Sequence, residues 1–81
     1  MKNNITFADL MEIKQDLREK YMERLNLIVR AREHERDVRN GKYAQAPARE
    51  REKFNFLKDN LGFVNEQIGI LEGMLNNSIL I

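Results

Sequence analysis

The 81-residue chain carries 42% apolar and 33% charged residues, no cysteine and one histidine, which leaves room for one domain, spanning residues 1–81, and excludes disulfide scaffolds, zinc fingers and iron–sulfur sites. Its 14 basic and 13 acidic side chains give a formal net charge of +1, so no overall field draws it to nucleic acid or to an acidic partner. A chain this short buries only about 60–65% of its unfolded surface, too little to enclose a deep catalytic pocket within one subunit.

The first ten residues hold one lysine and no apolar core of a signal peptide, and no run approaches 18 consecutive apolar residues. The expectation is a chain without leader or membrane span, cytoplasmic by default. Nine asparagines are a high share, of the kind that accompanies AT-rich coding DNA in phages and mobile elements.

A first helix is predicted over about residues 6–40. Thr6 can cap the amides near Asp9, Asp9 suits the positive helix end, and Ile5 can staple onto Leu10. Phe7, Leu10, Ile13, Leu17, Tyr21, Leu25 and Ile28 recur at steps of three and four and form its expected buried stripe. Asn40-Gly41 supplies the stop, because glycine enters the left-handed conformation after a helix without a Cβ clash.

Residues 41–46 form a bend, and a second helix starts at Pro47, whose missing amide costs nothing in a first turn, and runs to about residue 76. Phe54, Leu57, Leu61, Val64, Ile68, Leu71 and Leu75 follow the alternating three–four spacing of a coiled-coil seam. Gly62, Gly69 and Gly73 weaken this helix by about 1 kcal/mol each relative to alanine, so its stability must come from packing. The Gly69-x-x-x-Gly73 spacing is read as close helix packing or a soft point. Residues 61–81, eleven of them apolar and none basic, are expected to complete the dimer core, with the apolar tail, residues 77–81, folding over the other helix's start near Phe7; the alternative is a docking surface for a partner helix or groove.

Together these elements predict an all-α antiparallel helical hairpin. Two rods about 45 Å long touching along one seam leave much apolar surface wet. Phe56, Phe63 and Ile70, seven residues apart, lie on a second stripe, and Met74 extends it. The economical cover is a second copy related by a two-fold axis, so a homodimer is expected, as a four-helix bundle or a coiled-coil-like assembly.

Residues 30–53 hold eight basic and five acidic side chains, a local net +3, whereas residues 1–29 balance and residues 54–81 carry −2. Arg36, Arg39, Lys42, Tyr43, Arg49 and Arg51 are the candidate partner-binding residues of this tip, since arginines and an exposed aromatic are enriched at interface hot spots. Against that, Glu35 with Arg39 and Arg49 with Glu52 are spaced to pair locally. His34 stands between Glu33 and Glu35, off the seam, and reads as a solvated side chain. Ser78, the only serine, has no base nearby, the carboxylates each have a basic neighbour, and the glycines fit no phosphate loop.

No catalytic, metal or cofactor site is therefore expected. The leading reading is a non-enzymatic interaction protein, a small dimeric helical regulator or inhibitor that presents its charged tip or its apolar C-terminal face to one target protein. The alternatives are an RNA- or DNA-binding hairpin that grips phosphates with the tip, and a structural or assembly factor that needs the oligomer but not the tip.

Overall fold

The computed structural model describes residues 3–80, so Ile81, the last residue of the expected apolar tail, lies outside the described residues. Its elements are β1 (Asn3–Ile5), α1 (Phe7–Arg39), α2 (Pro47–Asn76) and β2 (Ser78–Leu80). The two helices pack against each other as a hairpin 59 Å long and 19 × 13 Å across. The radius of gyration is 17.9 Å, against about 12 Å for a compact chain of this length.

Local chemistry fixes each helix end. Thr6 and Asp9 form a reciprocal capping box: the Asp9 amide donates to Thr6 Oγ1 at 3.2 Å and the Thr6 amide donates to Asp9 Oδ2 at 3.1 Å. At the other end, Gly41 has φ +82°, its amide donates to the Val38 carbonyl, and the Lys42 amide donates to the Asp37 carbonyl. That pair of bonds is a Schellman stop, and it turns the chain out of α1. Pro47 opens α2 after Ala46, which makes no side-chain cap. Asn77 closes α2 by donating from its backbone amide and its Nδ2 to the Gly73 carbonyl.

The short strand pair is an addition to the all-α layout. β1 and β2 are parallel, with Asn3 opposite Ser78, Asn4 opposite Ile79 and Ile5 opposite Leu80. The whole helical hairpin is thus the crossover that two parallel strands require. The tail comes to lie just ahead of Phe7, held by backbone pairing with its own chain.

The seam of α2 follows its sequence pattern except at Phe54, which is 51% exposed; Leu57, Val64 and Ile68 are buried and Leu61, Leu71 and Leu75 pack against them. The seam of α1 departs from the predicted stripe. Ile13, Leu17 and Leu27 are buried, whereas Phe7, Tyr21 and Leu25 are exposed. The inward positions are Leu10, Ile13, Leu17, Lys20, Arg24, Leu27, Ala31 and His34, an unbroken alternation of three and four. Lys20 and Arg24 occupy two of these positions because their long stems can lie along an apolar surface while their heads reach water or a polar partner. Arg24 does so by donating from Nη1 to Asn65 Oδ1 at 3.3 Å.

A Cβ built on Gly62, Gly69 or Gly73 meets nothing within 4 Å. The reading of Gly69-x-x-x-Gly73 as close packing is therefore corrected: these glycines border open space, and no neighbouring helix approaches them within the hairpin. Among the described residues, no helix is long and apolar enough to cross a membrane.

Candidate functional site

The same phase that carries Leu27 and Ala31 into the seam carries His34 there. The ring is 4% exposed, which corrects its reading as a solvated side chain. Its Nε2 lies 3.3 Å from Glu50 Oε1 on α2, its Nδ1 is buried without a partner, and Tyr43 packs edge-on against it at 5.2 Å between ring centroids. Tyr43 is half-buried as a result, and its reading as an exposed aromatic is corrected too: it is a prop of the bend. The seam thus continues into the charged tip through small and polar groups.

The remaining tip residues, Arg36, Arg39, Lys42, Arg49 and Arg51, are exposed around the bend. Two of them are engaged within the chain. Arg39 donates to Glu35 at 2.9 Å, and Lys42 lies 3.4 Å from Asp37. The local Arg49–Glu52 pair does not form among the described residues; Glu50, not Glu52, makes the cross-helix contact. These exposed pairs add little stability and leave the Arg39 and Lys42 heads in water.

The predicted self-association row is solvent-exposed along α2: Phe56, Phe63 and Ile70 at 59% each and Met74 at 45%. Beside Ile70, α1 offers Asp16, Glu19 and Lys20, which line a shallow hollow there with Gln67. In this hollow the apolar lining, Ile70 and Leu71, comes from α2.

A larger hollow of about 550 Å³ lies near the bend. Ile28, Ala31 and Val38 of α1 and Phe54, Leu57 and Leu61 of α2 form its apolar lining, with His34 among them. It exists because Ala31 is too small to fill the seam between Leu27 and His34, while Val38 and Phe54 stand at its sides, 41% and 51% exposed. The sequence pattern assigned Ile28 and Phe54 to the core, and nothing in residue spacing distinguishes a filled seam from a hollow one.

Farther from the bend, two polar cross-helix pairs close the seam. Tyr21 donates its hydroxyl to Glu72 at 3.1 Å, and Arg24 bonds Asn65 as described. Partial desolvation, the hydrogen bond to Glu72 and that carboxylate's charge all push the Tyr21 phenol above its ordinary value, and Arg24 pulls it partly back.

The chain matches no protein family, and neither a curated protein nor a solved structure matches it.

Proposed function

We propose that this chain is a non-enzymatic protein–protein interaction module, a cytoplasmic regulator or inhibitor of one target protein, that works as a homodimer. One observation carries the reading: six large apolar side chains are buried while twelve are exposed among the described residues. The accessible surface is 6497 Å², against about 5,100 Å² for a compact monomer of this mass. That surplus exceeds the roughly 800 Å² per partner that a standard interface buries. A rod this thin has most of its material at the surface, and those twelve large apolar side chains are part of it.

In this reading Phe56, Phe63, Ile70 and Met74 meet the same row of a second copy, and Arg36, Arg39, Lys42, Arg49 and Arg51 face the target. Tyr43 acts through the bend, by holding His34. An origin in a phage or mobile element accords with the asparagine content.

Sedimentation tests the dimer. Phe63→Asp and Ile70→Asp should each yield monomers of unchanged helicity, since an unpaired charge buried at a helical interface costs several kcal/mol. Dimer mass persisting in both variants would refute the interface. Affinity capture from the source cell tests the tip, with Arg36, Arg39, Arg49 and Arg51 changed to alanine and Tyr43 kept. Loss of one captured protein in the variant, insensitive to nuclease, is the expected result; loss only after nuclease treatment would move the function to nucleic acid.

A further inference from the structure

The hollow near the bend has a charged border that the apolar lining does not explain. Besides His34, four ionisable side chains line it: Arg32 and Glu35 on α1, Glu50 and Lys58 on α2. The two carboxylates are engaged, Glu35 by Arg39 at 2.9 Å and Glu50 by His34 at 3.3 Å. Among the described residues neither Arg32 nor Lys58 has a carboxylate within ion-pairing distance. An exposed apolar hollow therefore carries one unpaired cation on each helix.

We infer that this hollow receives an amphipathic helix of a partner protein, with apolar anchors flanked by carboxylates that face Arg32 and Lys58. The shape favours a helix over a small molecule. From Ile28 to Val38 the hollow follows α1 for about 15 Å, long enough for anchors at i, i+4 and i+7, which span about 10 Å. Its sides are open, so a compact ligand would keep much of its surface wet, whereas small-molecule sites enclose most of theirs. A third helix laid between α1 and α2 covers Val38 and Phe54 at once.

The charges favour a partner over a second copy. A twin laid along this face would extend past the hollow and cover the Tyr21–Glu72 and Arg24–Asn65 pairs, whose polar groups would lose water without gaining new bonds. A short acidic helix stops before them. This inference deepens the proposed interaction role but stands on the hollow alone: alanine at the tip arginines leaves it intact whatever those arginines bind.

The test uses the full chain and three labelled helical peptides of about sixteen residues, alanine-rich, with leucine at i, i+4 and i+7. Glutamate flanks the leucines in the first and lysine in the second, and the third has glutamate with serine in place of leucine. Fluorescence anisotropy should show the glutamate peptide binding about tenfold more tightly than the lysine peptide, with the serine peptide silent. The double variant Arg32→Glu/Lys58→Glu should reverse that order. Phe54→Asp should abolish binding while circular dichroism stays unchanged, because Phe54 is half in solvent already. Equal binding of the two charged peptides, no binding of either, or binding that survives Phe54→Asp would overturn the proposal. Conversion of a dimer to monomers by Phe54→Asp would also overturn it, by giving the hollow to a second copy.

Discussion

His34→Leu should make the protein more stable. At 4% exposure the ring occupies an inward position between Ala31 and the bend, with one nitrogen near Glu50 and the other, Nδ1, without a partner. A buried polar atom left unsatisfied costs about 1–3 kcal/mol. The contact with Glu50 returns about 0.5–1.5 kcal/mol, and Glu50 is partly exposed, so water can replace the imidazole when it is removed. Leucine is of similar volume, brings no polar atom and extends the apolar seam beyond Leu27. The net gain is about 1 kcal/mol, which in a domain of this size raises the melting temperature by about 4–8 °C. His34→Ala has the opposite sign, because truncation opens a cavity beside a hollow already present; a loss of about 2 kcal/mol is expected. Both are read by thermal and urea unfolding at one fixed chain concentration, since association shifts the apparent stability of every variant. A cycle with Glu50→Gln isolates the pair and should give a coupling near 1 kcal/mol. If leucine destabilises as much as alanine, the imidazole contacts outweigh the orphaned nitrogen, and His34 is a designed fastener of the bend.

Other positions give sharper single-number tests. Gly62→Ala and Gly69→Ala should each add about 0.5–1 kcal/mol of stability by urea unfolding, because alanine propensity is gained and the new methyl meets open space. Gly41→Ala should cost about 1 kcal/mol with helix content retained, since φ +82° strains any residue with a Cβ. In a Tyr43→Phe background, ultraviolet titration reads Tyr21 alone, and its midpoint should lie above that of free tyrosine. Neutral Tyr21 is the form favoured on folding, so its contribution is complete below the ordinary tyrosine range and is lost as pH climbs through the raised midpoint. Glu72→Gln should bring that midpoint down; an unmoved midpoint would remove Glu72 as a cause.

Helix boundaries were legible because local groups write them: a threonine and an aspartate three apart, an asparagine–glycine pair, a proline. Each acts within a turn of its own position. The inward face of α1 was legible only from Leu10 to Leu17, since Phe7 ahead of them is exposed. Beyond Leu17, Lys20 and Arg24 stand where an apolar residue belongs, and Tyr21, Leu25 and Ile28 offer a competing stripe one step round the helix. Partner packing decides between the two phases, since the side that meets Leu57, Val64 and Ile68 becomes the seam, and stem-burying cations are tolerated there. The misplacement of His34 follows from that slip, because in the true phase it sits seven residues after Leu27. The strand pair left no trace in the pattern: three residues on each side are too few to show an alternation.

The two apolar surfaces of α2 have different neighbours, and that difference separates their roles. Phe54 and Phe56, or Leu61 and Phe63, are two positions apart, which on an α-helix is about 160° of rotation, so the hollow and the exposed row lie on nearly opposite sides. Beside Ile70 of the row, α1 presents Asp16, Glu19 and Lys20, and the apolar lining there comes from α2. A flat single-helix row suits a like row in two-fold self-association, where the same patch serves both copies. On the other side both helices contribute and leave a trough, a shape that a second flat row cannot fill but a third helix can. Occupation of one side leaves the other accessible, so a dimer joined along Phe56, Phe63 and Ile70 would present two troughs facing away from each other. A dimeric target carrying two acidic helices would then be held by both at once, with avidity set by the spacing of the troughs. The Phe63→Asp monomer measures that gain directly: it should bind a single acidic peptide as well as the parent does, yet lose one to two orders of magnitude against the same peptide displayed twice on a linker that spans the dimer. Equal loss on both probes would mean that the row and the trough form one continuous site.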